Sequence, residues 1–261
     1  MIRLIATDID DTILPEGTFD LNPEYYEVIR ALTKKGILFV AASGRHATSI
    51  LRLLSDVGDD VVILAGNGSA ALYQGRLLDL RPLDYGFYRE VLEEMRRIDS
   101  SLILTDQAEC VWTDSVREDL VSWIRDGYRV RLEQCPDLSR IRPPVLKTAM
   151  HVEGDAAQYA ARIRKRFPDR ANIMAAGPGW VDVVANGADK GSALRRIQER
   201  FQIRREETAA FGDNENDIGM LELAGVSYAV ENARDKVKDA AREVIGPMRE
   251  DAVLDVLKSF L

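Results

Sequence analysis

Only two histidines and two cysteines occur in the 261 residues. Zinc centres, which need several His or Cys ligands, and phosphohistidine chemistry therefore have too few parts. Cys110 and Cys135 stand in no metal-like spacing and suit free thiols in a reducing compartment better than a disulfide framework. No apolar run approaches the ~20 residues that cross a bilayer, and Ile2 to Ala6 is too short for a signal-peptide core and leads straight into acids. Excess basic charge is also missing. The net charge of −8 excludes a broad nucleic-acid or anionic-membrane face, and the basic run Arg162 to Arg166 reads as a solvated helix surface. The expectation is a cytoplasmic protein with a small-molecule partner, no nucleic acid and no membrane, as a monomer or weak homodimer.

Hydrophobic content of 46% with 30% charged residues is ordinary for a soluble globular chain, long enough for one large domain or two modest ones. The first third alternates strand and helix. Strands are predicted at Leu4 to Asp8, Ile37 to Ala41 and Val61 to Leu64. Helices are predicted at Asn22 to Lys35, stopped by Gly36, and at His46 to Val57. Continuous apolar strands separated by helices imply a parallel sheet covered on both faces.

After a hairpin around Gln74-Gly75 the texture becomes α+β. Helices are expected at Tyr85 to Ile98, Ser115 to Gly127 with Ser115 as its cap, and Gln158 to Phe167. Strands are expected at Leu102 to Thr105, Cys110 to Thr113 and Lys147 to Val152, with a hairpin folding about Gly177-Pro178-Gly179. The α/β rhythm resumes with helix Lys190 to Phe201, strand Thr208 to Phe211, helix Asp217 to Ala224 and strand Ser227 to Val230, and a terminal helix spans Asp251 to Leu261. The fold expected is α/β: a Rossmann-like doubly wound parallel sheet built from 1–81 and 186–261, with an inserted α+β cap at 82–185.

Asp8-Ile9-Asp10-Asp11-Thr12 follows the first apolar strand. Asp8 and Asp10 leave an extended chain on the same side, and two anions so close call for a cation or a shared proton. Oxygen-only ligands favour magnesium. A solvated turn or a helix cap is the competing explanation for that segment taken alone. Ser43-Gly44-Arg45 follows the second strand and is expected to open a helix, where a hydroxyl and free backbone N–H groups make an anion site or a simple cap. Lys190 at a helix N-terminus is unfavourable against the dipole, so an anion nearby, a phosphate or Asp189, is expected to offset it. Gly212-Asp213-Asn214-Glu215-Asn216-Asp217 sets further carboxylates and amides after another strand. Asp8, Ser43, Asn67 and Asp213 thus fall at the carboxyl ends of parallel strands, the edge where α/β sheets bind ligands.

These four segments resemble, in order and spacing, the motifs of the haloacid dehalogenase superfamily. The insert, Asn67-Gly68 and Glu231-Asn232-Ala233 resemble its Cof-like (type IIB cap) sugar-phosphatase branch. The resemblance implies a phosphatase with Asp8 as nucleophile and Asp10 as acid–base. It implies Ser43, Gly44, Arg45, Lys190 and Asn216 around the phosphate, and Mg²⁺ held by Asp8, Asp10 through its carbonyl, Asp213 and Asp217. The substrate implied is a small phosphorylated metabolite, a sugar phosphate. Phosphotransfer or mutase chemistry on the same chassis, or a phospho-Asp switch without turnover, are the alternatives. Two departures stand out: Asp11 and Glu231 occupy positions where the family often has Gly, and an extra acid there would restrict the substrate. His46 and Trp180 read as a first-turn polar residue and a packing residue, and Asp182 as a weaker candidate near the cap hinge.

Overall fold

A computed structural model describes residues 1–98, 100–176 and 179–261; positions 177 and 178 of the expected Gly177-Pro178-Gly179 turn lie outside the described residues. The chain opens with β1 (Leu4–Thr7), α1 (Glu24–Lys34), β2 (Leu38–Ala42), α2 (Ala47–Leu53), β3 (Val61–Ala65), β4 (Ala70–Tyr73) and β5 (Arg76–Leu80). It continues through α3 (Tyr85–Arg96), β6 (Ser100–Asp106), β7 (Val111–Thr113), α4 (Glu118–Ser122), β8 (Leu132–Gln134), β9 (Lys147–Val152), α5 (Ala156–Arg166), β10 (Asn172–Ala175) and β11 (Trp180–Val184). It closes with α6 (Lys190–Phe201), β12 (Thr208–Gly212), α7 (Ile218–Leu223), β13 (Val226–Ala229), α8 (Asp235–Ala240), β14 (Glu243–Val244) and α9 (Ala252–Lys258).

Two sheets result. The first runs β14-β13-β12-β1-β2-β3-β4-β5 and is parallel from β14 to β3. Its central strands β1, β3 and β12 are buried at every position, as strands covered on both faces must be. Leu4 faces Leu38 on one side and Thr208 on the other, so the two ends of the chain meet in the middle of one sheet. The second sheet runs β10-β11-β9-β6-β7-β8, antiparallel except for β7 against β8. Each sheet packs on its own apolar cluster, the first around Ile5, Ile29, Phe39 and Phe211, the second around Phe87, Tyr88, Met150 and Val181.

Local chemistry explains most boundaries. In α1 the buried residues are Tyr25, Val28, Ile29 and Leu32, one stripe at helical spacing, and Gly36 ends the turn with φ of +83°. Gln74 and Gly75 both take positive φ, the conformation a two-residue hairpin demands. Two expectations fail. Ser115 does not cap a helix: α4 begins at Glu118 and widens into a π turn over Trp123–Gly127, and the Ser115 hydroxyl accepts from the Arg117 N–H instead. Ser43 does not open a helix either, because α2 starts four residues later with His46 as its cap, its ring accepting from the Thr48 N–H. Ser43 to Arg45 is a loop between strand and helix.

Candidate active site

Four loops converge at the carboxyl edge of the parallel sheet. Asp8 directly follows β1, Ser43 follows β2, Asn67 follows β3 and Asp213 follows β12. Asp8, Ser43 and Asp213 line one cavity of about 260 Å³ between the two sheets, which also takes in Asp10, Gly44, Arg45, Lys190 and Asn216. Asp217 is fully buried and does not itself line the cavity.

Lys190, the first residue of α6, is 1% exposed, so it is no surface lysine. Its ammonium donates to Asp8 Oδ1 at 2.5 Å and to Asp217 Oδ1 at 2.6 Å. The dipole cost of a cation at this helix start is offset by those two carboxylates, while Asp189 caps the helix through the Ser192 N–H. Asp217 Oδ2 accepts from the backbone N–H groups of Asp213 and Asn214, so this buried acid fixes the loop that carries Asp213. Thr12 bridges the two ends of the chain, donating towards Asp8 at 3.4 Å and Asp213 at 3.0 Å.

Glycines permit this approach. A Cβ on Gly191 would meet the carbonyl carbon of Gly219 at 2.7 Å, so α6 and α7 touch backbone to backbone beside Lys190. A Cβ on Gly212 would meet the Asp217 Cβ at 2.5 Å.

One oxygen each of Asp8, Asp213 and Asp217 lies within 4.8 Å of the others. Three carboxylates stand here against one ammonium, and the electrostatics record the surplus. Burial, and next the charge of Asp217, raises Asp8 to about 7 despite the pull of Lys190. Burial, then Asp8 and Asp217, raises Asp213 to about 10. Burial pulls the Lys190 ammonium down, but Asp217 and Asp8 more than reverse it. A hard divalent cation bound by oxygens is the group this donor set fits.

Asp10 is not one of the three clustered carboxylates. Arg45 grips it, with Nη2 to Oδ1 at 2.6 Å and Nε to Oδ2 at 2.9 Å, and the Ser43 hydroxyl adds a contact at 3.4 Å. The guanidinium also donates to the Thr18 carbonyl and lies over the Phe19 and Tyr128 rings, at 5.3 and 5.0 Å. Glu16 borders the same space, and burial, then Asp10 and Asp11, raises it to about 7. Asp11 takes φ of +56°, which explains why glycine is at home in this position: the turn needs a left-handed residue, and Asp tolerates it better than most. Asp11 borders the cavity, whereas Glu231 is exposed, and its neighbour Asn232 donates to the Asp11 carbonyl.

The second sheet closes over these loops. Lys147, at the start of β9, donates to the Gly44 carbonyl at 2.8 Å and stands 3.4 Å from Asp182 and 3.6 Å from Asp106. Asp182 accepts from Asn67 at 2.6 Å, and Asn67 in turn accepts from Asn216 at 2.9 Å. His46 meets the Gln107 carbonyl at 2.7 Å, and Ser49 donates to that of Tyr128. Lys147, Asp106 and Tyr128 were not singled out by sequence. The available signal was weak but real: Lys147 opens an otherwise apolar strand, and Asp106 ends one, as Asp8 follows β1.

A family model described as haloacid dehalogenase-like hydrolase matches residues 5–257. The chain is 25% identical over 261 residues to 5-amino-6-(5-phospho-D-ribitylamino)uracil phosphatase of Escherichia coli (strain K12), covering 100% of this chain and 96% of that protein. It is 25% identical over 266 residues to the HMP-PP phosphatase of Serratia proteamaculans, again covering 100% and 96%. A crystal structure from Eubacterium rectale superposes with a TM-score of 0.85 at 32% identity, covering 100% of this chain and 99% of that one. The chain belongs to the haloacid dehalogenase-like hydrolases and is a phosphatase of their Cof-like branch.

Proposed function

We propose that the protein is a magnesium-dependent phosphomonoesterase acting on a small phosphorylated metabolite through an aspartyl-phosphate on Asp8. One observation carries the reading: Asp8, buried at a strand end, has one carboxylate oxygen on the Lys190 ammonium and a surplus of acid around it. Asp8, Asp213, Asp217 and the Asp10 carbonyl would hold Mg²⁺, whose charge lets a carboxylate approach an anionic phosphate.

The residues then divide the work. Asp8 forms a bond to phosphorus as the ester P–O bond breaks, and Asp10 gives a proton to the leaving alkoxide. Water next attacks phosphorus, loses its proton to Asp10, and releases phosphate and free Asp8. Lys190, the Ser43 hydroxyl and the backbone at Gly44 hold phosphoryl oxygens, supported by Asn216. Arg45 orients Asp10 through its two-point grip. The same geometry serves transfer to another hydroxyl; water access to Asp8 separates the two outcomes.

We assign 1–81 and 186–261 to the catalytic core and 82–185 to the cap. Leu83 and Ala185 both pack with the second sheet's cluster, which supports those edges. The cap shuts out bulk water during attack and opens for release. Two free thiols suit the cytoplasm. The deciding experiment is phosphate release from a metabolite panel with and without Mg²⁺. Metal-independent rates, or an Asp8→Asn variant as active as the parent, would overturn the reading.

A further inference from the structure

One turn of the second domain reaches the neighbourhood of Asp10. It consists of Gly127, the last residue of the π turn, with Tyr128 and Arg129, the latter at φ of +45°. Four contacts seat it on the first domain. A Cβ on Gly127 would meet the Gly17 carbonyl oxygen at 2.8 Å, so backbone lies against backbone there. The Ser49 hydroxyl donates to the Tyr128 carbonyl at 2.5 Å, and Arg52 donates to the Arg129 carbonyl. The Arg129 guanidinium lies over the Phe19 ring at 4.6 Å. Held in this way, Tyr128 sets its ring 5.0 Å from the Arg45 guanidinium and its hydroxyl 3.4 Å from Glu16.

Arg45 needs that ring. Its side chain is 1% exposed, and Nε and Nη2 are spent on Asp10 and the Thr18 carbonyl. Its third nitrogen, Nη1, is buried with no hydrogen-bond partner among the described residues. Polar contacts therefore fix two nitrogens of the three, and the Phe19 and Tyr128 rings are what else holds the cation. Phe19 belongs to the loop after β1, so Tyr128 is the ring that the second domain supplies. An aliphatic side chain at 128 would fill space without attracting the guanidinium.

We infer that Tyr128 is a positioning residue for proton transfer: its ring holds the Arg45 guanidinium in the orientation that grips Asp10, and it does so while the second domain is seated on the first. Delivery of the proton to the leaving alkoxide is thereby tied to the closed site. The inference rests on the phosphomonoesterase reading, in which Asp10 is the acid.

The test measures kcat/KM of the full chain with Mg²⁺ on p-nitrophenyl phosphate, whose oxyanion leaves without a proton, and on phenyl phosphate and glucose 6-phosphate, whose leaving oxygens need one. Tyr128→Leu is expected to lose about tenfold on the two proton-requiring esters, the scale of a desolvated cation–π contact, and about twofold or less on p-nitrophenyl phosphate. Tyr128→Phe keeps the ring and is expected to stay within about twofold of the parent on all three. Gly127→Ala pushes the turn off Gly17 with Tyr128 intact, so it is expected to repeat the leucine pattern, and it decides the matter if Tyr128→Leu fails to fold. Equal losses on all three esters, no loss, or a phenylalanine variant as slow as the leucine one would overturn the inference and leave the phosphatase reading standing. Asp10→Asn with no gap between the ester classes would take the acid out of that reading and the inference with it. Turnover of none of the three esters by the parent would overturn both.

Discussion

Lys190 donates to Asp8 across 2.5 Å, although 182 positions separate the two residues. The contact joins the first strand's end to the helix that follows the insert, so the site exists only when both parts of the sheet have assembled. The same ammonium holds Asp217, and all three side chains are almost wholly buried. Removing one partner of a buried ion pair strands the other charge. Lys190→Met is therefore expected to cost about 3–5 kcal/mol of unfolding free energy without metal, read from denaturant midpoints. Added Mg²⁺ is expected to restore more stability to the variant than to the parent. An unchanged midpoint would show that the carboxylates do not depend on this lysine.

Metal-free stability should fall with rising pH through this site. Asp8 is raised to about 7 from an ordinary value of 3.8, and Asp213 and Glu16 move the same way. Between the unfolded and folded values the native state binds more protons than the unfolded chain, so stability drops as pH climbs. The contribution is intact below about pH 4 and is lost as pH rises through about 7. Mg²⁺ replaces those protons, so the rise in Tm it produces should grow between about pH 5 and about pH 8. A metal effect that is flat across that range would contradict the assignment.

Much of this was legible in the sequence because buried parallel strands and acidic strand ends are local signals. Val61 to Leu64, Lys147 to Val152 and Lys190 to Phe201 needed only an apolar run or a helical stripe with a clear stop. What escaped was short or relational. Strands β8 and β14 and helix α8 span three, two and six residues, too few for a period to show. The grip of Arg45 on Asp10 and the chain Asp182–Asn67–Asn216 are meetings between distant segments that no local pattern encodes. Ser115 carried a cap's sequence signature, yet the helix begins later, after Arg117.

Asn67 links the two sheets beside the proposed phosphate site. It is fully buried, takes φ of +55°, donates to Asp182 and accepts from Asn216. Asn67→Gly keeps the left-handed turn and deletes both bonds, which separates backbone from side-chain effects. The expected result is a KM raised about 10-fold, the size of one lost hydrogen bond to a charged group, with a smaller change in kcat. Steady-state kinetics on any accepted ester would check it, and an unchanged KM would remove Asn67 from the positioning of Asn216.

The contact between α6 and α7 gives two alanine substitutions opposite signs. In a helix, Gly→Ala on its own favours folding by about 1 kcal/mol. At Gly219 the added methyl meets its nearest neighbour, the Gly191 Cα, at 3.5 Å, an ordinary contact, so the helical gain should survive. At Gly191 the methyl meets the Gly219 carbonyl carbon at 2.7 Å, and backbone cannot rotate away. The helices must separate, at a cost of about 1–3 kcal/mol that outweighs the propensity gain. Lys190 is the preceding residue, so the displacement also pulls its ammonium from Asp217. Gly191→Ala should lower both Tm and kcat, whereas Gly219→Ala should hold or raise Tm with kcat close to the parent's. Thermal melts and phosphate release on the two variants decide it, and equal behaviour of the pair would mean that this crossing does not set the position of Lys190.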